Sequence, residues 1–261
     1  IGGGKAGNIV SPNPNTIAVT EAFKLDLTAV MMKNLIPALC ALIATIVLAS
    51  LLAKKAGDGI SQNDLEAAPA EKLPNALQAF AGPLTVIVLL ALRPLAKISV
   101  DPLIALPLGG LVCILVTGNI RNLIPYTDFG LSKVIGVAIL LIGTGTIAGI
   151  IKASALQKDM TALLSAMNMP AFILAPLSGI LMAAATASTT AGSTVASQTF
   201  SGTLLSAGVP ALSAAAMIHA GATVLDSLPH GSFFHATGGS VYMDIKNRMK
   251  LIPFEALIGL T

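Results

Sequence analysis

An aspartate flanked by histidines is the feature of this sequence best equipped to move protons. All three histidines of the chain, His219, His230 and His235, fall in the window HAGATVLDSLPHGSFFH, with Asp226 between them. On a continuous helix His219 and Asp226 would lie two turns apart on one face. Asp226 and His230 would be one turn apart, with Pro229 ending the helix between them. An ionisable group inside apolar sequence is by default a proton relay or the partner of a polar solute. The competing reading makes Asp226 a cap for the next segment and sets the histidines at a membrane boundary. Asp226, Ser227 and His230 also supply the residue types of a hydrolytic triad. Sequence neighbours rarely achieve the geometry of nucleophile, base and orienter, and no GxSxG or HExxH pattern occurs, so no enzyme is expected.

Two further stretches carry polar chemistry. Between Ala183 and Ser197 the chain reads AAATASTTAGSTVAS, a hydroxyl-rich island set into apolar sequence. Ser188, Thr189, Thr190, Ser193 and Thr194 surround Gly192. Hydroxyls of this kind can bond back to helix carbonyls or across to neighbouring helices, which accounts for one or two of them. A dense group at membrane depth points instead to protein burial or a watery cavity. The second stretch is N-terminal, GGGKAGNIVSPNPNT. Its glycines and prolines predict no regular helix. It is either a surface loop or a broken re-entrant segment that presents amides to a polar solute. The GxxxxGK[ST] spacing of a phosphate loop is absent.

The elements that must position these residues are membrane-grade. Of 261 residues 54% are hydrophobic and only 10% charged, and mean hydropathy is +0.84. Soluble domains carry about 25% charged residues, so a polytopic all-α membrane protein is expected. A net charge of +3 with no basic stripe excludes nucleic acid as a partner. Cys40 and Cys113 both lie in apolar runs and read as small core or lipid-facing residues, with neither a metal nor a disulfide expected. A spanning helix needs about 20 apolar residues. Spans are predicted from Val30 to Ala53, Leu77 to Ala96, Val100 to Val116 and Leu131 to Ile151, the last with Gly145 and Gly149 in close-packing spacing. Ala153 to Met167 has the pattern of an interfacial helix, and Ala171 to Ala185 begins another membrane segment. An alanine-rich helix is expected to end near Leu228 and Pro229, followed by a charged loop, MDIKNRMK. Lysine and arginine divide evenly between the loops, so orientation does not follow.

Three signatures stand in order: GGGKAGNIVSPNPNT, the GSTVA core at Gly192 to Ala196, and LDSLPHG at Leu225 to Gly231. In these the chain resembles the gluconate permease (GntP) family of the inverted-repeat ion transporter superfamily, with the apolar framework between them fitting over essentially the whole length. It departs in having Gly231 where an asparagine often follows the LPH histidine, and GSTVA in place of a GSATVA-like core.

The resemblance implies a proton-coupled symporter for a small hydroxy-carboxylate, such as a gluconate-like sugar acid. Its fold would have two inverted halves, each with a re-entrant hairpin and a broken helix. Residues 1–53 would end the first half, 54–76 would be a polar linker, and 77–261 the second half, truncated at its C-terminus. The first and last residues read as lying inside structure, so the chain is expected to be part of a longer protein lacking most of the first half. Carried over onto matching positions, Ser11, Asn13, Asn15 and Thr16 would bind solute from one side. Thr190, Gly192, Ser193 and Thr194 would bind it from the other, and Asp226 or His230 would couple protons. Expected partners are the organic acid, protons, the lipid bilayer of a bacterial cytoplasmic (inner) membrane and a possible second copy of the chain. No cofactor is implied. A channel or a non-transporting membrane scaffold is the alternative from another class.

Overall fold

The computed structural model describes residues 2–56, 74–98, 100–166 and 169–261, and every regular element among them is helical. The greater part of the expected polar linker, 57–73, lies outside the described residues. Two compact units are present: Ile1–Leu52 with Val137–Thr261, and Ala53–Gly136.

In the first unit GGGKAGNIV forms a helix, α1 (Gly2–Val10), where the sequence predicted none. Packing overrides propensity here. Ala6 and Ile9 bury against Ala38, and a Cβ on Gly2 would run into the side chain of Thr45. Glycine is what lets α1 lie this close to its neighbour. After the SPN break come α2 (Pro14–Phe23) and α3 (Leu27–Lys33). The span expected from Val30 to Ala53 is divided at Asn34, and α4 (Leu35–Ala56) follows. Pro37 supplies the physical reason, because it has no N–H for the carbonyl four residues earlier, at Lys33.

The second unit contains α5 (Ala76–Ala96) and α6 (Pro102–Val116). They cross where Gly82 meets Gly109, each leaving no room for a Cβ beside the other's backbone oxygen at 2.9 Å. A short 3₁₀ turn, Ile120–Asn122, leads into the 31-residue α7 (Leu123–Ala153), within which the unit boundary falls.

The first unit resumes along α7 and continues with α8 (Leu156–Ala166) and α9 (Leu174–Thr186). The hydroxyl island is then the start of α10 (Thr189–Ser206), which is joined to α9 by only two residues. Gly192 faces Ala183 so closely that a Cβ would come within 2.5 Å of the Ala183 Cα. α11 (Ala211–Gly221) ends well before the predicted stop at Leu228 and Pro229. Its last glycine is pressed on Pro176 of α9, where a Cβ would sit 2.5 Å from the Pro176 carbonyl oxygen. The irregular segment that follows leads to α12 (Ser232–Gly239), α13 (Ile245–Met249) and α14 (Ile252–Gly259). The expected MDIKNRMK loop thus contains a short helix, capped by Asp244 accepting from the Asn247 N–H at 2.6 Å.

Val19, Phe23, Val30, Leu174, Phe200, Leu204 and Ile218 bury together, so the core joins α2, α3, α9, α10 and α11. The outside is apolar as well: Ile36, Ile43 and Ile46 of α4 are more than 60% exposed. Among the described residues α4, over Leu35–Lys54, is the one helix long and apolar enough to cross a membrane. Shorter apolar helices cover Ala76–Leu92, Pro102–Val116, Ile142–Ile151, Ala171–Thr186 and Ala211–Gly221.

Candidate functional site

The polar residues meet where helices are interrupted. α1 stops at Val10, and its carbonyl at Asn8 has no helical partner ahead of it. Three side chains of the SPNPNT segment take that role. Asn13 Nδ2 donates to Asn8 O at 2.8 Å, Asn15 Nδ2 at 3.1 Å and the Thr16 hydroxyl at 3.4 Å. Asn13 also caps α2 by accepting from the Thr16 N–H at 3.0 Å. Ser11 accepts from Asn13 Nδ2 at 2.8 Å and donates to Gly7 O at 2.6 Å. Ser11, Asn13 and Thr16 therefore hold the break in shape.

The second break is built in the same way. Ala187 ends α9 in the left-handed conformation, φ 45°, and Ser188 caps α10 by accepting from the Ala191 N–H at 3.3 Å. Ser193 and Ser197 bond back within α10 to the carbonyls of Thr190 and Thr194. The Gly192 N–H bonds Ser188 O at 2.9 Å inside the helix, so Gly192 serves close packing, and the open donors lie one turn earlier. Across the two breaks, the Thr190 hydroxyl donates to Asn15 Oδ1 at 2.9 Å. Asn15 and Thr190 are each the second residue of a capped helix. Two positive helix ends thus touch at equivalent positions.

Beneath this junction runs a buried charged network. Lys5, 1% exposed, pairs with Asp226 Oδ1 at 2.6 Å and also donates to the Thr223 carbonyl. Asp226 Oδ2 accepts from the Thr189 hydroxyl at 2.7 Å, and Oδ1 from the Ser227 hydroxyl at 3.0 Å. Asn8 Nδ2 donates to Thr189 Oγ1 at 3.2 Å and so closes the path back to the first break. His219 is fully buried beside it. Its Nδ1 lies 3.3 Å from Asn34 Nδ2 and its Nε2 3.5 Å from Asn15 Nδ2, so the ring sits between the two breaks. Asn34 also donates to Ile9 O at 3.0 Å, tying the α3–α4 break to the end of α1.

The helical arrangement predicted for His219, Asp226 and His230 is not found. α11 ends at Gly221, and Asp226 sits in irregular chain. His230 is exposed in the turn before α12, while the His235 ring meets Pro229 O at 2.8 Å. Ser227 bonds directly to Asp226 with no imidazole between them.

A cleft of about 550 Å³ opens between α2 and α10, lined by Pro14, Ile17, Ala18, Glu21, Ala22, Thr194 and Gln198. Thr194 is 1% exposed and its hydroxyl has no hydrogen-bond partner. Thr190, Thr194 and Gln198 follow one another at four-residue spacing, so a polar stripe leads from the junction into the cleft. A smaller adjoining space of about 340 Å³ is bounded by Gly145 and Gly149 of α7 together with Gln198 and Ser201. The sequence reading missed Lys5, Asn8, Glu21, Asn34 and Gln198. Gln198 carried a local signal as the next polar position along the Thr190–Thr194 face, and Lys5 and Asn8 lay within the N-terminal polar stretch without standing out individually. Among the described residues no group of three or more His, Cys, Asp or Glu could hold a metal ion.

The chain is similar to a Haemophilus influenzae protein named an uncharacterized transporter. The two are 57% identical over 260 residues, which is all of this chain and 62% of that protein. No family model matches the chain. No solved structure matches it either.

Proposed function

We propose that the chain is part of a multi-pass secondary transporter of a bacterial cytoplasmic membrane. Its solute is a small hydroxy-carboxylate of the sugar-acid type, carried together with protons. The observation that supports this most is the Asn15–Thr190 contact between two capped helix ends at 2.9 Å. Helix N-termini carry partial positive charge and open N–H groups, which suit a carboxylate. Transporters commonly place anionic solutes where discontinuous helices meet. Thr194, with its unpartnered hydroxyl, and Gln198 continue this surface with groups suited to solute hydroxyls. The order of elements agrees: α1, break, α2, α3, break, α4 is followed later by α9, break, α10, α11, break, α12. The exposed apolar face of α4 favours hydrocarbon as its surroundings. The relative's name supports transport alone, and the resemblance to gluconate permeases is what suggests the solute class and the protons.

Asn15, Thr190 and Thr194 contact the solute in this reading. Ser11, Asn13, Thr16, Gly192 and Ser193 shape the two breaks that hold them. Asp226 carries the proton: protonation would discharge the partner of Lys5 and loosen the joint between α1 and the segment after α11. His230, exposed near the hairpin turn, is the second coupling candidate.

Titration of the purified full-length protein with gluconate, shorter hydroxy-acids and the matching uncharged polyols tests the binding half of the proposal. Saturable binding of the acids alone, lost in Asn15→Ala and in Thr190→Ala, is expected. Binding of polyols and acids alike, or acid binding untouched by both substitutions, would place the site elsewhere.

A further inference from the structure

Lys5 occupies a place built for a cation. Its ammonium meets the Thr223 carbonyl and Asp226 Oδ1, the latter at 2.6 Å, with both groups in the segment just past the end of α11. That end is the negative pole of the helix and the region where carbonyls lose their helical partners. The hydroxyls of Thr189 and Ser227 donate to the same carboxylate and fix it beside the Thr223 carbonyl. Oxygen donors of this kind suit hard metal cations. In other transporters unwound carbonyls and helix C-terminal ends hold sodium. Here the position is filled by a side chain from α1, 221 residues away in sequence. A cavity of about 210 Å³ borders Lys5, Thr223 and Gly221.

We infer that the Lys5 ammonium is a tethered substitute for a monovalent metal cation, and that the cradle of Thr223 O and Asp226 accepts sodium or lithium once the lysine is removed. The wild-type protein therefore needs no sodium to hold α1 against the α11–α12 segment. This inference stands apart from the transport proposal, since its test uses neither solute nor gradient.

The test is thermal unfolding of full-length protein at constant ionic strength in choline, sodium, lithium or methylammonium chloride. The wild type should unfold at the same temperature in all four. Lys5→Ala should be less stable in choline and should gain a saturable rise of about 5–10 °C with sodium, lithium or methylammonium. Where it fails to fold in choline, the readout is folded yield, which those three cations should restore. The Lys5→Ala/Asp226→Asn double variant should show no such gain. Equal behaviour of Lys5→Ala in all four salts, including failure to fold in each, would overturn the inference. So would a sodium gain that survives Asp226→Asn, or a wild type stabilised equally by sodium.

Discussion

At the residue scale the decisive distinction is between polar groups already bonded within the protein and those left open. Asn13 illustrates the first kind: its amide caps α2 and supports the Asn8 carbonyl. Thr194 illustrates the second, with a buried hydroxyl lacking a partner. A buried unpaired hydroxyl costs about 1–3 kcal/mol. Thr194→Val keeps the shape and removes that cost, so the variant should unfold at or above the wild-type temperature. If the hydroxyl receives a solute, the same variant should bind the solute about tenfold more weakly, the equivalent of roughly 1.4 kcal/mol. Calorimetry on one sample checks both halves. Asn13→Ala should behave in the opposite way, losing about 1–2 kcal/mol of stability through the lost cap. Both residue types stood out in the sequence because polar side chains crowd poorly into apolar chain. Lys5 did not stand out, because a lone lysine near an end reads as surface and its partner Asp226 is distant in sequence.

At the element scale the α9–α10 hairpin depends on two backbone requirements. Ala187 holds φ 45° without being glycine, which costs about 1–2 kcal/mol. Ala187→Gly should therefore raise hairpin stability by about 1 kcal/mol, measured by the unfolding midpoint. Gly192 has the reverse constraint, since any Cβ meets the Ala183 backbone at 2.5–2.6 Å. Gly192→Ala should force the two helices apart and lower the yield of folded protein. Gly231 follows the same logic: a Cβ there would strike the Ala187 carbonyl, so asparagine, common at this place in the resembled family, does not fit this hairpin turn. The long helices α4 to α7 were readable from their apolar runs. The breaks were harder, since the helical GGGKAGNIV and the division at Asn34 depend on tertiary contacts that propensity does not contain. The early end of α11 was missed for the same reason, because close packing of Gly221 on Pro176 leaves no periodic mark.

At the scale of the whole molecule, two buried ion pairs among the described residues tie helical segments together. Lys5–Asp226 joins α1 to the chain after α11. Arg248 grips Glu255 through two bonds of 2.5 and 3.1 Å, donates to Phe234 O and lies 4.8 Å over the Phe234 ring, binding α12, α13 and α14 into one corner. Removing one partner leaves a buried charge uncompensated, at about 3–5 kcal/mol. Glu255→Ala should therefore destabilise the protein by that amount in chemical unfolding, with solute affinity unchanged in whatever fraction stays folded. The chain spans 62% of the length of its Haemophilus influenzae relative, so function must be measured on the full-length protein. The most direct measurement is uptake of labelled gluconate and shorter hydroxy-acids into proteoliposomes, with and without an inward proton gradient. A proton-coupled symporter gives saturable uptake of a hydroxy-acid that collapses when a protonophore dissipates the gradient, and this is the expected result. Flux that never saturates, or that proceeds unchanged without the gradient, would contradict it.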